Sequence, residues 1–137
     1  MQLANIQNLL INSKETLKEG IARIEGGHHK IALIVNSEKV LLGILSDGDV
    51  RRALLRNISL EDSITKAMNK DFVYAFKGAS SKEIYELMSK YCIQQVPILD
   101  QENRLQELYI HNSIVYEKQK TLENTVVIMI IMTIISF

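Results

Sequence analysis

Residues 32–52 read "ALIVNSEKVLLGILSDGDVRR", and residues 96–116 read "VPILDQENRLQELYIHNSIVY". Laid side by side without a gap, 64 positions apart, the two stretches share one pattern. An apolar run leads into a short polar turn ("SEK", "QEN"), then a second strand-like run, then a polar segment. Apolar runs this short, bounded by turn residues, suit buried strands. The segments ahead of them match as well. In residues 16–24, "TLKEGIARI", Leu17, Ile21 and Ile24 recur at the spacing of one helix face, and in residues 80–90 Ile84, Leu87 and Met88 do the same. Setting Ile21 on Ile84 and Ile24 on Leu87 gives a separation of 63, which predicts that the turn after the helix differs by one residue between the copies. The glycine pair in "EGGHH" ends the first helix.

The repeating unit is therefore helix–strand–turn–strand–helix, about 60 residues long. Two such units bury their small sheets only against each other, so the sequence predicts an α/β (α+β) fold of tandem repeats with pseudo-twofold symmetry. The first repeat with its N-terminal segment takes residues 1–63, the second takes 64–120, and 121–137 form a tail. The helix after the first hairpin is expected over residues 49–56, with Val50, Ala53 and Leu54 inward. Residues 57–70 read as a connector with one short helical turn, and residues 111–119 as the closing helix of the second repeat.

Composition narrows the function. Sixteen basic residues balance sixteen acidic ones, which argues against a nucleic-acid binder working through bulk charge. Cys92 is the only cysteine, so no intramolecular disulfide forms, and a reducing, cytoplasmic setting is expected. The N-terminus lacks a basic region followed by a continuous apolar run, so it does not read as a secretion signal. The tail at residues 126–137, "VVIMIIMTIISF", would reach about 18 Å as a helix, short of the roughly 30 Å hydrocarbon core. Its Val, Ile and Thr content favours a strand, so no membrane contact is expected.

The junction "GILSDGDVRR" carries the chemistry. Gly43 permits close approach of a ligand or a neighbouring backbone. Ser46 offers a hydroxyl, Asp49 can accept from both hydroxyls of a ribose, and free N–H groups at the helix start favour phosphate. Arg51 or Arg52 can add charge-assisted contacts. The plain alternative is helix capping without a ligand, a role expected of Asp47. "SDGD" lacks the further acids and closing Glu of a calcium loop. His28 and His29 have no third ligand at metal spacing and read as a solvated turn, while Cys92, with no base beside it, reads as a small core residue.

A tandem repeat with Gly43, Ser46 and Asp49 as Gly-x-x-Ser-x-x-Asp, with "QQVPILD" from Gln94 and "MNKDFVYAF" from Met68, resembles the CBS-domain pair, or Bateman module. The resemblance implies a non-catalytic module that binds AMP, ADP, ATP or S-adenosylmethionine between its repeats and signals to an attached domain. It implies homodimers that join through their helices and no required cofactor. The implied ligand set is Gly43, Ser46, Asp47, Gly48, Asp49 and Arg52, with Lys30 and Ala32 from the preceding strand. In the second repeat the motif positions hold Glu107, Ile110 and Ser113, so one site at most is expected, on the first repeat. The run from Gly43 to Lys70 is further similar to the CBS pairs ahead of bacterial mannose-1-phosphate guanylyltransferase-like enzymes. There "NTVVIM" would open a nucleotidyltransferase domain, but its glycine-rich loop does not follow, so nucleotidyl transfer is not expected. Two other readings stay open: a structural or dimerising module whose site has decayed, and an inactive fragment of such an enzyme.

Overall fold

A computed structural model describes residues 2–111. Ten strands and helices follow in order: β1 (Gln2–Leu3), β2 (Leu10–Asn12), α1 (Leu17–Gly26), β3 (Ile31–Val35), β4 (Leu41–Ser46), α2 (Asp47–Leu55), β5 (Ala75–Phe76), α3 (Ser81–Tyr91), β6 (Gln95–Leu99) and β7 (Leu105–Ile110). They form a three-stranded sheet ordered β2-β3-β4 and a four-stranded sheet ordered β1-β7-β6-β5. The expected helix over residues 111–119 and the apolar tail lie outside the described residues, apart from His111.

The repeat is present in the hydrogen bonding itself. Ile31 pairs with Ser46 and Gln95 with Ile110, and both hairpins bulge at one point, between Ile34 and Val35 and between Ile98 and Leu99. Each turn is built by one side chain: Asn36 Oδ1 accepts from the N–H groups of Glu38 and Val40, and Asp100 Oδ1 from those of Glu102 and Arg104. Burial opposes ionisation of Asp100, but bonds from Arg104 and from the Glu102 N–H outweigh it and hold the carboxyl below its ordinary value. Lys39 and Asn103 both take the left-handed conformation that closes such a turn, at φ 65° and 63°. The two tips then join reciprocally. The Leu41 N–H donates to the Asn103 carbonyl at 3.0 Å and the Leu105 N–H to the Lys39 carbonyl at 2.9 Å, so a twofold relation passes between Val40 and Arg104.

Side chains alternate along the central strands, so each sheet has two apolar faces. Ile31, Leu33 and Val35 face the other repeat and pack with Leu99, Leu105, Leu108 and Ile110 in one shared core. Ala32 and Ile34 face the opposite way, towards Leu17, Ile24 and Ala53 of the helices. The second repeat builds a matching outer core from Ala75, Ile84, Met88, Val96 and Ile98.

Two expectations are corrected here. The helices follow the strands at a separation of 64, not 63. Thr16 and Ser80 are the N-caps, each accepting from the backbone N–H of the third helical residue, Glu19 and Glu83. The buried pairs are Gly20 with Ile84 and Ile24 with Met88. Like residue types suggested a slip because the first repeat places glycine where the second places isoleucine. The space above Gly20 is filled from elsewhere: a Cβ there would stand 2.5 Å from Ile64 Cδ1 and 3.0 Å from Leu45 Cδ2. Ile64, assigned from sequence to the second repeat, thus packs in the core of the first. Gly20→Ala should destabilise the chain by about 1–3 kcal/mol through overpacking. Chemical denaturation of Gly20→Ala, Ile64→Val and the double variant tests this, because a shortened Ile64 should restore part of the loss. Strictly additive effects would refute the account.

Cys92 is the second correction. It is exposed, because α3 ends at Tyr91 and Cys92 turns out of the helix in the left-handed region, at φ 54°. No helix among the described residues is long and apolar enough to cross a membrane.

Candidate functional site

The β3–β4 hairpin delivers Ser46 to the start of α2 in an extended conformation, φ −117° and ψ 172°. Ser46, not Asp47, is therefore the N-cap, and α2 begins at Asp47, two residues earlier than expected. The cap is reciprocal. The Asp49 N–H donates to Ser46 Oγ at 3.3 Å, and the Ser46 N–H donates to Asp49 Oδ2 at 2.9 Å. Ser46 Oγ also donates to Asp49 Oδ2, at 2.8 Å. A carboxylate three residues into a helix closes such a box, since it satisfies a backbone N–H that the helix leaves unpaired. Asp47 is exposed.

The second carboxylate oxygen of Asp49 has a different partner. Arg52 Nη2 donates to Oδ1 at 2.9 Å, with the Asp49 side chain 13% and the Arg52 side chain 68% exposed. Arg52 lies across Gly48, where a Cβ would stand 3.1 Å from Nη2. Beside this pair is a cleft of about 460 Å³, lined by Asp49, Arg52, Leu55, Arg56, Ala67, Met68 and Asn69. Arg56 Nη2 donates to the Lys66 carbonyl at 3.3 Å, so a second guanidinium stands at the same cleft.

Gly43 serves the wall of that cleft. The Ile44 N–H donates to the Asn69 carbonyl at 3.0 Å, and the Asn69 N–H donates back at 2.8 Å. This brings Met68 over the glycine, where a Cβ would meet Met68 Cγ and Sδ at 2.6 Å. Of the two approaches the sequence left open, the structure shows the neighbouring chain. Across the pseudo-twofold, the N-terminal segment takes the corresponding place beside β7, with the Ala4 N–H on the Leu108 carbonyl at 2.9 Å.

The other predicted residues are more dispersed. Lys30 is exposed, at φ 57°, one residue before the Ile31–Ser46 pair, and so at the same end of the sheet as the start of α2. Ala32 is completely buried, its side chain in the core under the helices. Arg51 is exposed, as is His28, while His29 is half-buried in the bend after α1. Among the described residues no three His, Cys, Asp or Glu side chains gather as a metal site. Leu55, Met68 and Asn69 were missed from sequence: Leu55 lies on α2 itself, while Met68 and Asn69 reach the cleft only through the pairing of Asn69 with Ile44. In the second repeat Glu107 is exposed on β7, Ile110 is buried, and Ser113 lies outside the described residues.

One carboxylate beside two guanidinium groups, with apolar walls from Leu55 and Met68, suits a ligand with neighbouring hydroxyls, an anionic group and a flat apolar part.

Comparison with known proteins gives the same architecture. The family model described as "CBS domain" matches residues 5–56 and 62–108. An uncharacterized protein of Helicobacter pylori strain J99 is 33% identical over 104 residues, 74% of this chain and 32% of its own length. The inosine-5′-monophosphate dehydrogenase of Methanocaldococcus jannaschii is 30% identical over 100 residues, 71% of this chain and 19% of its own. The chain thus spans a third or less of these two relatives. Among solved structures, the CBS domain pair of protein MJ0100, in complex with 5′-methylthioadenosine and S-adenosyl-L-methionine, aligns with a TM-score of 0.66 and 22% identity. That alignment covers 83% of this chain and 92% of the other.

Proposed function

This chain belongs to the CBS domain family, and on that premise we propose that it is a non-catalytic regulatory module that binds one adenosine-type nucleotide beside α2 of the first repeat. The observation that carries the proposal is the placement of Asp49, Arg52 and Arg56 on one cleft at the motif position. Asp49 accepts from the ribose hydroxyls, while Arg52 and Arg56 face the phosphate. Ser46 acts by holding Asp49, and Lys30 stands at the edge of the site. That a structural relative was solved with adenosine-derived ligands supports this ligand class. The second repeat supplies Glu107 in place of Gly43 and Ile110 in place of Ser46, so one site per chain is proposed.

Signalling follows by population shift. The cleft is walled by residues 67–69, and Asn69 ties this wall to β4 by its two hydrogen bonds with Ile44. A ligand that favours one arrangement of this wall biases whatever domain or chain reads it. The similarity to pairs ahead of nucleotidyltransferases makes such a domain one candidate partner, although the relative with a named activity above is a dehydrogenase. We also propose a homodimer joined through α2, where Leu54 is 47% and Leu55 83% exposed.

Isothermal titration of the full chain with AMP, ADP, ATP and S-adenosylmethionine tests the reading. The expected result is saturable binding near one ligand per chain. A second reading, a structural module with a decayed site, is favoured by one observation: Ser46 and Arg52 already engage both oxygens of the Asp49 carboxylate, as a helix cap with an added ion pair requires. No heat with any of the four ligands would shift the weight to it.

A further inference from the structure

The ion pair at the mouth of the cleft deepens the proposed reading and rests on it. From its geometry we infer that Arg52 makes the first-repeat site selective for ligands bearing a phosphate over the corresponding uncharged nucleosides.

The two oxygens of Asp49 are engaged differently. Oδ2 accepts from the N–H and hydroxyl of Ser46, bonds that belong to the helix cap and stay in place while α2 is folded. Oδ1 accepts from Arg52 Nη2. Both acceptor sites of Oδ2 are thus taken by Ser46, and one site of Oδ1 by Arg52. A ribose diol can donate both of its hydroxyls to Asp49 only by taking the site that the guanidinium holds. The displaced group has open space to move into, its side chain being 68% exposed where its partner is 13% exposed. Its resting place depends on the bare backbone of Gly48, since a Cβ there would stand 3.1 Å from Nη2 and 3.2 Å from Nη1.

An uncharged nucleoside breaks the pair and offers the guanidinium nothing in return. Exposed ion pairs of this kind are worth up to about fivefold in an equilibrium constant, and the nucleoside loses that factor. A phosphate reverses the balance. It takes Arg52 with charge-assisted bonds while the diol takes Oδ1, an exchange worth about tenfold or more. Arg56 on the same cleft adds to the field the phosphate meets but does not touch Asp49. Recognition of the two ends of the ligand is thereby coupled through one side chain.

The test is titration of the full-length chain and of its Arg52→Gln, Gly48→Ala and Asp49→Ala variants with AMP and with adenosine, in one buffer. In the wild type AMP should bind at least about tenfold more tightly than adenosine. Arg52→Gln should weaken AMP by about tenfold and leave adenosine unchanged or up to about fivefold tighter, so that the ratio falls towards one. Gly48→Ala, whose Cβ crowds the Arg52 guanidinium at 3.1–3.2 Å, should lower the ratio at most part of the way, and Asp49→Ala should weaken both ligands. An AMP-to-adenosine ratio that is the same in wild type and Arg52→Gln overturns the inference while leaving the nucleotide reading intact. Uptake of neither AMP nor adenosine by the wild type overturns the inference, while the nucleotide reading is then decided by the titrations with ADP, ATP and S-adenosylmethionine.

Discussion

Asp49→Ala should abolish measurable nucleotide binding, with at least about a 100-fold loss of affinity, because two hydrogen bonds from the ribose to a carboxylate disappear together. The same substitution removes the acceptor that closes the cap at Ser46, so a destabilisation of about 1 kcal/mol should accompany it. The two effects have to be measured apart. Asp49→Asn keeps an oxygen for the Ser46 N–H but loses the charge that draws both Arg52 and the diol. It should therefore melt close to the wild type while binding at least about tenfold more weakly. Titration of AMP, read beside thermal melts of all three proteins, decides the matter. Unchanged binding in Asp49→Ala would leave Asp49 with the cap as its whole role.

The largest loss of stability is expected from Leu33→Ala. Leu33 is completely buried in the shared core and packs with residues of both repeats. Truncation of such a leucine costs about 2–5 kcal/mol, a large part of the roughly 5–15 kcal/mol that holds a domain of this size folded. Because the core is shared, damage in the first repeat should reach the second. All five tyrosines stand at or beyond position 74, so tyrosine fluorescence follows the second repeat and its approach, while circular dichroism follows the whole chain. In urea, Leu33→Ala should shift both signals to one lower midpoint. A shift in circular dichroism with tyrosine fluorescence left in place would mean that the repeats unfold separately and that the core does not couple them.

Much of this molecule was legible in its residues. The 64-residue separation predicted from "ALIVNSEKVLLGILS" reappears in the register of both hairpins and in the position of both bulges. The hairpins were readable because their determinants are local: an apolar run, an Asn36 or Asp100 that folds its own turn, and a second run beginning a few residues on. The strand-to-helix junction as a place for chemistry was readable for the same reason, since Ser46, Asp49 and Arg52 follow one another at three-residue steps, each within a helical turn of the next.

What tertiary structure decided is what depends on residues distant in the chain. β1, β2 and β5 are two or three residues long, with no periodicity to find, and they exist because longer strands lend them hydrogen-bonding partners. The helices match at 64 rather than 63 because Ile64 fills the space that Gly20 leaves, a complementarity across 44 residues that no local pattern records. Gly43 proved to accommodate Met68, and the cleft gained its wall only when Asn69 paired with Ile44. Local sequence determines which turns and helices form and where their charges sit. Which surfaces meet, and so where a cleft opens, is decided by packing between segments that the chain brings together only when it folds.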